Sequence, residues 1–196
     1  MTNTTNEDGR FYRLLETLFK EIDQDSIHAE VAKLRASKPN ASREQLAEEL
    51  TKKAARKAAT VGAAAGLPGG ALAILAMAPD IFNLVLQQSR LILSIAFLYD
   101  QKPNVKQRFK EVLATLAVGT GAAAGRFGVR YLIAKGLEQA AAAKLARKIF
   151  GRFLVKRIPM IAPILGTVAG GTVNYMSMNA VGKAAVAFYS GEAQGQ

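Results

Sequence analysis

One histidine, no cysteine and five carboxylates beyond residue 50 are all that this 196-residue chain offers to covalent, metal or acid–base chemistry over most of its length. The absence of cysteine excludes disulfides, thiolate metal sites and thiol catalysis. His28 stands in a charged amphipathic segment, and one histidine without cysteine cannot make the usual zinc site. The carboxylates Asp80, Asp100, Glu111, Glu138 and Glu192 do not pair at a spacing that would place two on one helical face. No GxxxxGK[ST] loop and no GxSxG elbow is present, so phosphate-cradling and nucleophilic serine chemistry find no foothold. The residues exclude the common catalytic plans and imply no cofactor and no metal.

What remains is charge. Residues 1–50 hold 7 Lys/Arg and 10 Asp/Glu, a net of −3, whereas residues 51–196 hold 19 and 5, a net of +14. The most basic stretch is 126–157, with nine Lys/Arg against the single Glu138. Arg126, Arg130, Lys144, Arg147, Lys148, Arg152, Lys156 and Arg157 are the candidate contacts to an anionic surface. Phe127, Tyr131, Leu132, Ile149, Phe150, Phe153 and Leu154 alternate with them, and would supply the apolar face of an interfacial helix. The alternative for the same residues is a solvated basic face over an ordinary buried stripe. A nucleic-acid partner is disfavoured, because no zinc-finger, RNP or helix-turn-helix pattern accompanies the charge.

The elements that must carry this charge read as helices throughout. Half the chain is apolar, mostly Ala, Leu, Val and Ile with 17 Gly, and alternating β-branched runs are missing. The expected fold is all-α, a compact bundle of Gly/Ala-rich apolar helical hairpins with an N-terminal amphipathic helix. Residues 1–9 are expected to be disordered. Phe11, Leu14, Leu15, Leu18, Phe19 and Ile22 then repeat at helical spacing, and Ile27, Val31 and Leu34 extend the stripe. Ser37-Lys-Pro-Asn40 breaks it, and Ser42 with Gln45 forms a capping box for the next helix. Residues 1–40 are an arm and 41–196 the helical domain. No signal peptide is visible in the first 30 residues, which suggests a cytoplasmic protein.

Two uncharged runs, 61–79 and 158–182, are long enough to span a bilayer but poor in Leu and Phe. Pro68-Gly69-Gly70 divides the first into two helices, with Asp80 as N-cap of a helix over 81–99. The other reading of Asp80 is a buried acid partnered with Asn174 or Lys183. Asn83, Asn174 and Asn179 are further candidate buried polar groups, for interhelical bonds or a small ligand cavity. Gly62/Gly66, Gly121/Gly125 and Gly166/Gly170 are glycine pairs four apart, the spacing that lets two helix backbones meet closely.

These residues also carry a resemblance. Lys53-Ala-Ala-Arg56, Gly62, Gly66-Leu-Pro-Gly-Gly70 and Ala78-Pro-Asp80 ahead of a long apolar helix resemble the EcsC-like family. So do Arg157-Ile-Pro159, Gly166, Gly170-Gly171, Asn174-Tyr175, Ala180-Val-Gly182-Lys183 and Tyr189. The likeness covers about residues 45–190. It implies a bacterial, helical, hydrophobic and membrane-associated protein, without catalytic residues. The expectation from residues and resemblance together is a non-enzymatic binding or scaffold protein, peripheral to the inner membrane, docking on anionic lipid. A protein partner or a second copy of the chain remains open. The alternatives are a conditionally inserting or pore-forming protein, or a soluble scaffold or small-ligand-binding protein.

Overall fold

Helix formation follows the local signals closely at the N-terminal end. The computed structural model describes residues 4–64, 71–101, 105–123, 138–157 and 165–193, some by backbone alone, among them 61–64, 71–80, 153–157 and 165–170. Helix α1 spans Thr4–Lys20 and α2 spans Gln24–Ser37. Thus α1 begins inside the stretch expected to be disordered. Leu15, Phe19 and Ile22 are buried, as are Ile27 and Val31, so the predicted stripe faces inward. The stripe is cut into two helices because the Asp23 carboxylate accepts from the Ser26 amide at 2.9 Å and starts α2 afresh. Helix α3, Arg43–Ala64, opens with the expected capping box. The Ser42 amide donates to Gln45 Oε1 at 2.8 Å and the Gln45 amide to Ser42 Oγ at 3.2 Å.

Helix α4, Ala71–Leu98, corrects one expectation. It runs unbroken through Pro79 and Asp80, so Asp80 is no N-cap. Proline inside a helix forfeits one bond to the carbonyl four residues back. Ending and restarting the helix there would orphan several amides and carbonyls instead. The expected break at Pro68-Gly69-Gly70 lies outside the described residues, which stop at Ala64 in α3 and resume at Ala71 in α4. The far end of α4 is closed by the Gln101 amide donating to the Ala96 carbonyl and the Asp100 amide to that of Phe97, both at 3.1 Å. This paired reversal places Asp100 at a φ of 60°, the left-handed region.

Helices α5 (Val105–Gly119), α6 (Gln139–Arg157) and α7 (Leu165–Ala193) complete the all-α bundle. No strand occurs among the described residues. Helix α4 is the hub, packed by α1, α2, α3, α5 and α7. Helices α3, α7, α5 and α6 follow one another across the bundle, and α1 covers α6. One hydrophobic core joins these layers, from Leu15 and Phe19 on α1 to Phe188 and Tyr189 on α7. No helix is long and apolar enough to cross a membrane among the described residues.

Candidate anionic-surface interface

Helix α6 is built from two stripes. Ala142, Leu145, Ala146, Ile149 and Phe150 point into the core. Lys144, Arg147, Lys148 and Arg152 are exposed on the other side, with Lys144, Lys148 and Arg152 in line at four-residue spacing. Ile149 and Phe150 therefore do not serve as the apolar face of an interfacial helix. The fold uses them first, since full burial of such side chains is worth roughly 1.5–3 kcal/mol each. Among the described residues, the charged side chains that α6 exposes are all cations. Arg126, Arg130, Phe127, Tyr131 and Leu132 lie outside the described residues, as do the side chains of Phe153, Leu154, Lys156 and Arg157.

Gly121 takes a different part from the one its spacing suggested. Gly121 ends α5 in a turn with φ of 77°. The nearest atom to a Cβ built there, apart from its neighbours, is Arg152 Nη1 at 3.9 Å. The close approaches fall at other glycines. A Cβ on Gly182 would collide with Thr51 Oγ1, one on Gly171 would meet the Ala59 carbonyl oxygen at 3.1 Å, and one on Gly119 the Val181 Cα at 2.7 Å. These contacts zip α7 antiparallel to α3 and to α5. Gly66 and Gly125 lie outside the described residues, as do the surroundings of Gly62, Gly166 and Gly170.

The candidate polar groups mostly close the packing. Asn174 is buried, and its amide donates to the Ala58 carbonyl at 3.2 Å across the α3–α7 seam. Asn179 Nδ2 donates to the Tyr175 carbonyl at 2.9 Å, within its own helix. Asn83 Oδ1 accepts from Gln87 Nε2 at 3.1 Å. The side chain of Asp80 lies outside the described residues, and Lys183 is exposed.

Two polar clusters escaped the sequence reading. On α5, the buried Arg108 pairs with the buried Glu111, and Arg108 Nη2 also reaches Gln101 Oε1 at 3.3 Å. The Tyr189 hydroxyl donates to Glu111 Oε2 at 3.3 Å, and its pKa is pushed well up by burial and by the Glu111 charge. A visible signal existed: Arg108 and Glu111 are three apart, and Glu111 stands just before an uncharged run. Comparison with protein-family models, with curated proteins and with solved structures found no match.

The second cluster ties the N-terminal helices to the end of α4. Arg35 donates to Asp100 Oδ1 at 2.7 Å and to the Leu98 carbonyl at 2.6 Å, and Arg43 pairs with Asp100 Oδ2. The Arg35 hydrogen bond, ahead of the charges of Arg35 and Arg43, holds the Asp100 carboxyl below its ordinary range. Beside it the Tyr99 hydroxyl donates to Glu44 Oε1 at 3.0 Å. Burial and that bond push Tyr99 up to about 12. Both clusters orient helices. Among the described residues no group of His, Asp or Glu could hold a metal ion.

Proposed function

We propose that the chain is a non-enzymatic helical scaffold that docks peripherally on an anionic bilayer through the outer face of α6. The observation that carries this is the exposed line of Lys144, Lys148 and Arg152, with Arg147 beside it, over a stripe committed to the core. The EcsC-like resemblance points the same way, toward membrane association. With no exposed large apolar side chain described on this helix, α6 holds the surface by charge and does not enter the hydrocarbon. Each cation near such a surface contributes on the order of 1 kcal/mol. Four give about 4 kcal/mol, which corresponds to roughly millimolar docking. That attraction is screened beyond about 8 Å at physiological salt.

Flotation with vesicles of phosphatidylcholine, with and without phosphatidylglycerol, tests the reading. The protein should float only with the anionic vesicles. Changing Lys144→Glu, Lys148→Glu and Arg152→Glu together should weaken that binding, so that more anionic lipid is needed to float the same fraction. Equal flotation on both vesicle types, or on neither, would sink the proposal.

A further inference from the structure

A second cationic face lies on the other flank of the bundle, and it is built differently. Helices α3 and α7 lie side by side and antiparallel, fixed by Thr51 against Gly182 and Ala59 against Gly171. Their solvent sides form one surface. On α3 it carries Lys53, Arg56 and Lys57, all exposed. On α7 it carries Tyr175, Met176 and Lys183. Met176 is 65% exposed and Tyr175 39%, the exposed large hydrophobics among the described residues. The nearby acids are engaged: Glu48 pairs with Lys52, and Glu49 with Lys38. Helices α7 and α5 separate α3 from α6, so this face and the α6 face look outward from different sides.

The composition says what covers it. A stable protein interface buries about 800 Å² per partner around an apolar centre. Two side chains inside a ring of four cations cannot supply that centre. The same arrangement suits a lipid headgroup layer. Tyrosine rests at headgroup depth, an unbranched Met dips below it, and Lys and Arg stems lie along the apolar boundary with their charges in water. We infer that the α3/α7 face is a second contact for anionic bilayers, so that one chain bridges two membrane surfaces. The inference rests on the α6 reading for its other contact.

Vesicles of phosphatidylcholine with about one-third phosphatidylglycerol, a strongly negative surface, separate the outcomes, each sample being read both by flotation and by light scattering for clustering. The unaltered protein should float and cluster them. Lys53→Glu with Lys57→Glu and Met176→Ser should leave flotation and abolish clustering. The α6 triple change should do the same, and the six changes together should abolish both. Milder Lys53→Gln, Lys57→Gln and Met176→Ser changes, checked for native circular dichroism, guard against a folding defect. Clustering that survives the α3/α7 changes overturns this inference alone. So does flotation without clustering by the unaltered protein. Loss of flotation with the α6 changes alone also overturns it, indicating a single face on each chain of a dimer. Flotation and clustering both intact after the α6 changes overturn the α6 reading and the bridge with it. No flotation of the unaltered protein overturns both. Met176→Ser alone should lower partitioning roughly tenfold at high salt, where apolar burial outlasts charge.

Discussion

The α6 face and the α3/α7 face are both basic, yet they reach the surface under opposite packing conditions. On α6, alanine, leucine, Ile149 and Phe150 fill the inner stripe while long cations stand outside. On α3 and α7, glycine lets the backbones close to contact, and Tyr175 and Met176 stand on the outer face of α7. Even the glycines differ. Gly151 on α6 has nothing within 4 Å of where a Cβ would be, whereas Gly182 has three atoms of Thr51 at 3.0 Å or less. Charge count alone would treat the two faces as one kind of surface. Their packing leaves cations as the charged groups exposed on one, and adds an exposed Tyr and Met to the other.

The largest effect should come from the ion pair between them. Changing Glu111→Ala leaves Arg108 charged and buried without its carboxylate, and removes the acceptor of Tyr189. Breaking a buried pair this way costs about 3–5 kcal/mol. Chemical denaturation should show that loss, and both faces should fail together. Selective failure of one face would mean that α5 does not join them.

Next comes the seam. Gly182→Ala forces Thr51 aside and should cost about 1–3 kcal/mol. Adding Thr51→Ala should recover part of it, because Oγ1 and Cγ2, the two nearest atoms, are gone. Hydrogen exchange should quicken in α3 and α7 and stay unchanged in α6. The matching change on the other face has the opposite sign. Gly151→Ala should stabilise the protein by about 0.5–1 kcal/mol, since it restricts the unfolded chain and meets nothing in the fold. A loss of stability there would erase the contrast between the helices.

The smallest effect is one of pH. Tyr99 is raised to about 12 in the fold, above its ordinary value of 10.0. Its contribution is therefore complete below pH 10.0, and is lost as pH rises through about 12. Urea melts across that window should flatten in Tyr99→Phe. Asp100 works in the other direction. Its lowered pKa gives stability above the ordinary carboxylate range that disappears as pH falls through the folded value.

The sequence revealed what depends on near neighbours. The Ser42–Gln45 box, the Leu15–Phe19–Ile22 stripe and the break after Ser37 are all set within a few residues. Contacts between distant residues stayed hidden. Arg35 and Asp100 are 65 residues apart, and Glu111 and Tyr189 are 78 apart. No pairing rule read along the chain selects those partners. The glycine strips show the same limit. A Gly-x-x-x-Gly spacing says that two backbones can approach, but the residue opposite decides whether they do. Thr51 and Val181 made that choice at Gly182 and Gly119. The basic face of α6 was legible as charge, while the inward turn of Ile149 and Phe150 required the rest of the core.

The seam has a mechanical meaning as well. Gly171 and Gly182 hold α7 against α3, and Gly119 holds it against α5, at fixed heights. A slide of one helical turn, about 5.4 Å, would carry bulkier residues into those slots. The bundle therefore behaves as a rigid spacer. With neighbouring axes roughly 8–10 Å apart, the row α3, α7, α5, α6 separates its outer axes by at most about 30 Å. Two bilayers joined by it would be held at a gap set by the width of the protein, and that gap would stay constant as the vesicles were pulled apart.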